Sequence, residues 1–201
     1  MAAFSDDRDL LFMLTREDPL ETKSLITPRL TLIPTTAALV QAEIESQDLF
    51  SQALGAKIPE NWPPELLVDA LPFFLEQLKR DPTLVGWLSW YWVLRRTATE
   101  KAFLIGSGGF KGQPQPDGAI EIGYSVLPQY QGRGYATEAV AGLLAWVFSY
   151  SEATQAIAET SLENRASIRV LAKLGFDYTE QGSEAGTVRF ELTRDRYSTE
   201  G

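Results

Sequence analysis

The sequence predicts a single α/β domain built on a mixed sheet. Segments with apolar residues at every second position, typical of half-buried strands, alternate with segments whose apolar residues recur every three or four positions, typical of amphipathic helices. The chain has 201 residues, of which 44% are hydrophobic, a size that suits one buried core and is short for two. We therefore expect one domain over residues 25–201, preceded by an N-terminal arm over residues 1–24.

The elements are predicted in the order β-α-α-β-β-β-α-β-α-β-β. Prolines and glycines bound most of them, and Pro72 inside the second helix is expected to bend or restart it. In chain order, we predict a strand at 27–32, a helix at 35–54, a loop at 55–64, a helix at 65–80, strands at 87–95 and 101–111 joined by a polar turn at 96–100, a strand at 119–127, a helix at 135–148, a strand at 154–161, a helix at 165–174, and strands at 176–179 and 187–193.

Composition limits the chemistry that the chain can perform. Cysteine and histidine are both absent, which excludes disulfides, thiolate catalysis, a Ser-His-Asp triad and zinc sites made of these residues, and no metal is expected. The net charge of −9 argues against nucleic-acid binding, which needs basic surface, whereas an acidic surface would attract an amine. No apolar run reaches the ~20 residues of a membrane span, and the acidic N-terminus is unlike a signal peptide, so we expect a cytoplasmic protein.

The strand, loop and helix over residues 121–148 indicate an anion-binding loop. The apolar strand leads into a tight loop at 128–134, which opens a long amphipathic helix. Such a loop leaves backbone N–H groups without partners at the positive end of the helix dipole, where phosphate binds well. Gly132 and Gly134 have no Cβ to keep a phosphate from the backbone, and Arg133 adds a positive charge.

This loop departs from two common phosphate motifs and resembles a third. A Walker loop ends in Gly-Lys-Ser/Thr, but the chain continues as Gly134-Tyr135-Ala136-Thr137, and Thr137 stands where a dinucleotide fingerprint needs its third glycine. The pattern Gln131-x-x-Gly134-x-Ala136, with Glu-Ile-Gly-Tyr before it and Gly-Tyr-Ala-Thr-Glu-Ala after it, resembles the acetyl-CoA loop of the GNAT superfamily of N-acetyltransferases, and in particular its RimJ/RimL-like branch. The alternative is a structural turn that binds no ligand.

A second segment strengthens the resemblance. Residues 163–176 begin with Glu-Asn-Arg-Ala-Ser and end with Lys-Leu-Gly-Phe, and they are similar to the family's second cofactor segment, where an asparagine opens a short helix. Without a ligand, the same residues would be an amphipathic helix capped by Asn164. The resemblance implies the GNAT fold, a central and mostly antiparallel sheet of about seven strands with helices on both faces. It also implies direct transfer of an acetyl group from acetyl-CoA to an amine, without an acyl-enzyme.

The resemblance assigns cofactor-binding roles along both motifs. Backbone N–H groups from Gly132 to Ala136 would hold the pyrophosphate, and backbone groups of Ser125 and Leu127 would hold the thioester and pantetheine. The full set of expected cofactor-binding residues is Ser125, Leu127, Gln131, Gly132, Arg133, Gly134, Tyr135, Ala136, Asn164 and Ser167.

Two residues are expected to be catalytic. Glu121 is the candidate base for the attacking amine, because catalytic glutamates of some family members occupy nearly that place; the alternative is that it faces solvent or forms an ion pair. Ser167 is the candidate hydrogen-bond donor to the departing thiolate, because Leu171 stands where many relatives carry a tyrosine. The alternative for Ser167 is a bond to a carbonyl within its own helix.

The acceptor site is expected near Trp62, Trp90 and Trp92, whose aromatic faces could hold a cationic amine. Strand aromatics usually pack in the core, and Tyr124 is expected to pack rather than to react. The acceptor would be a protein N-terminus or a small-molecule amine, and the protein a monomer or homodimer that binds neither nucleic acid nor membrane. Two other possibilities stay open at this point, an acyl-CoA-binding sensor or scaffold without turnover and a partner-binding module that keeps only the fold.

Overall fold

The computed structural model describes residues 22–95 and 102–200. The polar turn predicted at 96–100 and all but the last three residues of the predicted N-terminal arm lie outside these ranges. The described residues form a mixed α/β fold, with one sheet and helices on both of its faces. None of the described helices has the length and apolar character needed to cross a bilayer.

Most predicted elements are present, with boundaries shifted by a few residues. The strands are β1 (Leu25–Ile26), β2 (Leu30–Pro34), β3 (Ser89–Leu94), β4 (Phe103–Phe110), β5 (Ala119–Val126), β6 (Gln155–Ser161), β7 (Asp177–Gln181) and β8 (Thr187–Thr193). The helices are α1 (Ala37–Glu45), α2 (Gln47–Leu54), α3 (Glu65–Arg80), α4 (Tyr135–Val147), α5 (Arg165–Lys173) and α6 (Arg194–Glu200), and 3-10 turns lie at Pro82–Leu84 and Pro128–Tyr130.

The sheet has eight strands in the order β1-β2-β3-β4-β5-β6-β8-β7. Every neighbouring pair is antiparallel except β5 and β6, which are parallel. The sequence predicted about seven strands and did not predict β1, because its two residues are too few to show an alternating pattern. The sequence also did not predict α6, which follows β8 directly.

The helix predicted at 35–54 is two helices, α1 and α2. Ser46 ends α1 and begins α2, because its backbone is extended and its Oγ accepts a hydrogen bond from the N–H of Leu49 at 3.2 Å. Thr36 caps α1 in the same way, accepting from the N–H of Leu39 at 3.2 Å. Serine and threonine are favoured at this position because they supply an acceptor for an otherwise unpaired N–H. The sequence predicted one continuous helix from residue 35 to residue 54, so the boundary at Ser46 was missed.

The two faces of the sheet carry separate apolar layers. On one face, residues such as Trp92 of β3 and Ile122 of β5 pack against the apolar stripe of α4. On the other face, Tyr91 of β3 packs against Phe50 and Leu54 of α2. Alternate residues of a strand point to opposite faces, so the central strands are buried on both sides.

Strands β5 and β6 separate after three residue pairs. Ala119, Ile120 and Glu121 pair with residues 155–157 of β6. Beyond Glu121, β5 pairs only with β4, and β6 pairs only with β8. The divergence opens the sheet at the carboxyl ends of β5 and β6, next to the N-termini of α4 and α5.

Candidate active site

A cleft of about 420 Å³ lies where β5 and β6 diverge. Its walls are the end of β5, the loop that follows, the first turn of α4 and one face of α5. The lining residues are Tyr124, Ser125, Val126, Tyr130, Gln131, Gly132, Gly134, Tyr135, Ala136, Thr137, Asn164, Ala166, Ser167, Arg169, Val170 and Lys173. The two sequence motifs, separated by about thirty residues, therefore face each other across one cleft.

The loop before α4 presents a run of unpaired backbone donors. Gly132 and Gly134 have φ angles of 72° and 80°, in the left-handed region that glycine adopts without strain. Gly134 is the N-cap of α4 and provides no side-chain cap. Among the described residues, the backbone N–H groups from Gly132 to Thr137 have no hydrogen-bond acceptor. Together with the helix dipole, these donors suit an anion.

Gln131 anchors the loop to the end of β5. Its Nε2 donates to the carbonyl oxygen of Val126 at 2.8 Å, and its own N–H donates to the carbonyl of Pro128 at 3.2 Å. The glutamine side chain thus fixes where the loop leaves the strand, and Gly132 and Gly134 after it line the cleft.

Arg29 holds the same loop from the other side. Its Nη1 donates to the carbonyl oxygen of Arg133 at 2.9 Å, and its Nε pairs with Glu138 Oε2 at 2.6 Å. Its guanidinium carbon lies 4.5 Å from the centre of the Tyr135 ring. Arg29 stands 104 positions before Arg133, so no local pattern connects the two, and the sequence reasoning did not identify it.

Glu138 completes this contact in the first turn of α4. Its Oε1 accepts hydrogen bonds of 2.6 Å from the Oγ1 of Thr27 and from the N–H of Arg29. Burial alone would raise the pKa of Glu138, but these hydrogen bonds and the charge of Arg29 outweigh it and lower the pKa below its ordinary value. The carboxylate is therefore charged at neutral pH and ties β2 to the start of α4.

Helix α5 contributes a cap and two cations to the cleft. Asn164 Oδ1 accepts from the N–H of Ser167 at 3.0 Å, which makes Asn164 the N-cap. Arg169 and Lys173 both line the cleft, because residues four apart lie on one face of a helix. This wall is positive although the chain is acidic overall. The spacing of four was visible in the sequence, but the two cations were not predicted as site residues.

Tyr124 and Ser167 meet inside the cleft. Tyr124 Oη lies 2.9 Å from Ser167 Oγ, and the Tyr124 ring stacks on Trp92 with centroids 6.3 Å apart. Burial raises the pKa of Tyr124, and the contact with Ser167 offsets this only in part, so the phenol is neutral. The expectation that Tyr124 only packs was incomplete, since its ring packs but its hydroxyl reaches a candidate catalytic residue.

Eight of the ten expected cofactor-binding residues line the cleft, and Leu127 and Arg133 do not. The N–H of Leu127 donates to the carbonyl of Ile105 at 2.9 Å, which leaves it unavailable as a donor to a thioester. The Arg133 side chain is exposed, and its backbone carbonyl is the group held by Arg29.

Glu121 lies outside the lining of the cleft. It belongs to the part of β5 that still pairs with β6, and its carboxylate forms an ion pair with Lys111. An ion pair was the alternative considered for this residue. The geometry therefore does not bring Glu121 together with Ser167.

The three tryptophans predicted at the acceptor site are buried. Trp90 and Trp92 have no exposed surface, and Trp62 is 8% exposed. The physical reason is that β3 is a central strand covered on both faces. Trp90 and Trp92 expose no surface that a substrate could contact. They are core residues, which corrects the prediction that they lie at the acceptor site.

Trp62 instead contacts a buried carboxyl on the α1 side of the sheet. Its Nε1 donates to Glu43 Oε1 at 2.6 Å, and the Tyr91 hydroxyl donates to Glu43 Oε2. Burial raises the pKa of Glu43, and the two hydrogen bonds oppose this only in part. The same layer includes Leu127 and Tyr130, so it supports the cleft from behind.

Comparison with known proteins places this geometry in a family. The chain matches the family described as Acetyltransferase (GNAT) domain over residues 29–177. It is 29% identical over 160 residues to a Bacillus subtilis protein named uncharacterized N-acetyltransferase YjdG, covering 80% of this chain and 93% of that one.

Two solved structures share the fold at low sequence identity. The RimL ribosomal L7/L12 alpha-N-protein acetyltransferase in complex with coenzyme A has a TM-score of 0.59 at 16% identity, covering 87% of this chain and 99% of that chain. The ribosomal-protein-S5-alanine acetyltransferase from Vibrio fischeri has a TM-score of 0.57 at 21% identity, covering 88% and 99%.

Proposed function

The chain belongs to the GNAT acetyltransferase family and is an acetyl-CoA-dependent N-acetyltransferase, and from this premise we propose that the cleft between β5 and β6 binds acetyl-CoA. The observation that carries the proposal is the run of backbone N–H groups from Gly132 to Thr137 at the start of α4, for which residues 22–95 and 102–200 supply no acceptor. A pyrophosphate would supply the acceptors that these donors lack. Arg169 and Lys173, on the opposite wall, would offset the remaining negative charge of the cofactor.

Other lining residues suit the rest of the cofactor. When bound, acetyl-CoA supplies an activated acetyl thioester. We propose that the side-chain amide of Asn164 holds the pantetheine and that Ser125 lines its path, since the backbone groups of Ser125 pair with Ser107 of β4. We also propose that Ser167 donates a hydrogen bond to the sulfur where negative charge develops. Leu127 is not assigned a contact with the cofactor, since its N–H already donates to Ile105 and its side chain packs in the layer behind the cleft.

We propose an α-amino group as the acceptor, either of a protein N-terminus or of a small molecule. An ammonium is not a nucleophile, and the described lining residues supply hydroxyls, amides and cations. An α-amino group, with a pKa of about 7.7–8.0, is roughly 10% neutral at pH 7, whereas a lysine, with a pKa of about 10.4, is roughly 0.04% neutral. An α-amine thus needs less help to lose its proton. The two solved neighbours are named as acetyltransferases of ribosomal proteins, which makes a ribosomal-protein N-terminus the acceptor to test first.

The test has two stages. Isothermal titration with acetyl-CoA, and separately with CoA, should show binding in the micromolar range; no binding at millimolar concentration would overturn the assignment of the cleft. Thiol release is then measured with a lysine-free peptide that has a free N-terminus and with its N-acetylated form carrying one lysine. We expect turnover with the first peptide and little with the second, and the reverse order would overturn the α-amine proposal.

Other properties stay predictions from the sequence. They are membership of the RimJ/RimL-like branch, a cytoplasmic location, a monomeric or homodimeric state, and the division into an arm over residues 1–24 and one domain over residues 25–201.

A further inference from the structure

The hydroxyls of Tyr124 and Ser167 form a hydrogen bond in which either oxygen can be the donor. Tyr124 Oη lies 2.9 Å from Ser167 Oγ and 3.4 Å from the Ser167 carbonyl oxygen. The first distance is normal for an O–H···O hydrogen bond, and the second is beyond that range. A phenol is more acidic than an alkyl alcohol, so it is the better donor and the poorer acceptor of the pair. The difference in acidity favours the phenol as the donor to the serine oxygen.

We propose that Tyr124 is a positioning residue that turns the Ser167 hydroxyl hydrogen towards the sulfur of CoA. A serine hydroxyl has one hydrogen and two acceptor sites. When Tyr124 occupies one acceptor site, the serine hydrogen points away from Tyr124 and stays available in the cleft. Donation to a thiolate is charge-assisted, so the arrangement stabilises the leaving group. The inference rests on the proposed function, because it needs CoA bound with its sulfur beside Ser167.

The sequence and the packing fix Tyr124 in this orientation. Its ring stacks on the fully buried Trp92. A Cβ at Gly108 of β4 would lie 2.6 Å from the Tyr124 Cβ, so only glycine leaves room for this residue. Position 171 of α5, where the family resemblance would place a tyrosine, is a buried leucine. The phenol hydroxyl beside Ser167 comes from Tyr124 of β5.

The phenol is suited to donating a hydrogen bond and not to giving up its proton. Burial raises the pKa of Tyr124, which keeps the phenol protonated when a thiolate forms nearby. The cationic side chains that line the same cleft, Arg169 and Lys173 of α5, also favour a thiolate. They are retained in every variant described below, so their effect on the thiol is common to all of them.

The test measures the bound thiol directly and does not depend on turnover. The pKa of the CoA thiol is determined from the ultraviolet absorbance of the thiolate during a pH titration, with saturation checked by calorimetry. The variants are Tyr124→Phe, which keeps the stacked ring, Ser167→Ala, and the double variant. Tyr178→Phe is the matched control, because Tyr178 is 59% exposed on β7 and packs against Phe190, outside the cleft lining.

The expected pattern is specific to positioning through Ser167. Ser167→Ala should raise the pKa of the bound thiol by about one unit, a tenfold change in its ionisation constant. Tyr124→Phe should raise it by about half a unit, roughly threefold, and should add nothing in the Ser167→Ala background. In turnover, Tyr124→Phe should lower kcat about threefold with little change in KM for acetyl-CoA. Tyr178→Phe should match the wild type throughout.

Three other outcomes would overturn the inference. A thiol pKa unchanged by Tyr124→Phe, in protein that still binds CoA, would show that the tyrosine does not act on the sulfur. An equal shift with and without Ser167 would show that Tyr124 acts independently of it. Failure of the wild type to bind CoA would overturn the proposed function and this inference together, whereas the first two results leave CoA binding intact.

Discussion

Placing a carboxylate at Gly132 is the sharpest test of the anion-binding loop. Gly132 has a φ of 72°, and a Cβ built there would meet nothing within 4 Å. Asparagine and aspartate tolerate this backbone region better than other side chains and have nearly the same shape. Gly132→Asn and Gly132→Asp therefore differ mainly by one negative charge, which on the proposed function would lie near the bound pyrophosphate.

The expected effect follows from Coulomb's law. Two like unit charges roughly 5 Å apart repel by about 0.8 kcal/mol at the dielectric constant of water and by about 3.3 kcal/mol at an effective value of 20. Gly132 is exposed, so the lower part of that range applies. A repulsion of about 1–2 kcal/mol makes binding of acetyl-CoA roughly 5- to 30-fold weaker in the aspartate variant than in the asparagine variant.

Isothermal titration at low and high salt measures this difference. The gap between the two variants should narrow in about 1 M salt, where the screening length falls to roughly 3 Å. Gly112→Asp is the control for net charge, because Gly112 also has a positive φ and open space but lies outside the cleft lining. Equal affinities of the aspartate and asparagine variants, with both shown to be folded by thermal unfolding, would refute the assignment of the loop.

Five further variants test three other parts of the structure. Arg29→Gln should raise the Kd for acetyl-CoA about fivefold with little change in kcat, and Arg29→Lys should not restore it because lysine lacks the planar fork; an unchanged Kd would contradict the loop-holding role. Because the pKa of Glu43 is raised, the carboxyl group stabilises the fold below its ordinary pKa of 4.5, and this stabilisation is lost as pH rises through the pKa of the folded state. The free energy of unfolding of the wild type should therefore fall relative to that of Glu43→Gln as pH rises above 4.5. Denaturant titrations measure this difference. Glu121→Gln and Lys111→Met each remove one partner of the same ion pair, so both should lower thermal stability by a similar amount and leave kcat unchanged. A fall in kcat that deepens at low pH in Glu121→Gln alone would instead establish Glu121 as the base.

The sequence predicted the parts of the site that depend on residues close together in the chain. The glycines of the loop, the cap at Asn164 and the order of the elements each depend on neighbours within a few positions, and such patterns are readable in one dimension. The helix boundary at Ser46 was also local, but serine is common inside helical stretches and gives a weaker signal than proline or glycine.

What the sequence did not predict depends on contacts between distant segments. Arg29 reaches a carbonyl 104 positions away, and the N–H of Leu127 is taken by Ile105 of the neighbouring strand. From the sequence, the aromatic residues of β3 were expected to contact the substrate. Their burial could not be predicted locally, because it depends on which strands and helices surround β3. Trp90 and Trp92 became core residues once β2 and β4 covered both edges and helices covered both faces.

Strand geometry explains why Tyr124 lines the cleft and Glu121 does not. Residues of β5 with odd and even numbers point to opposite faces of the sheet, so these two side chains leave the strand on different sides. Glu121 also precedes Ser125 by four residues, about 13 Å at roughly 3.3 Å per residue, and it lies where β5 and β6 are still paired. Tyr124 lies beyond the point of divergence and can reach Ser167 of α5. On the proposed function, the hydroxyls of the cleft would assist the departing thiolate, and proton loss from the amine would depend more on the amine's own pKa, which favours an α-amino group over a lysine.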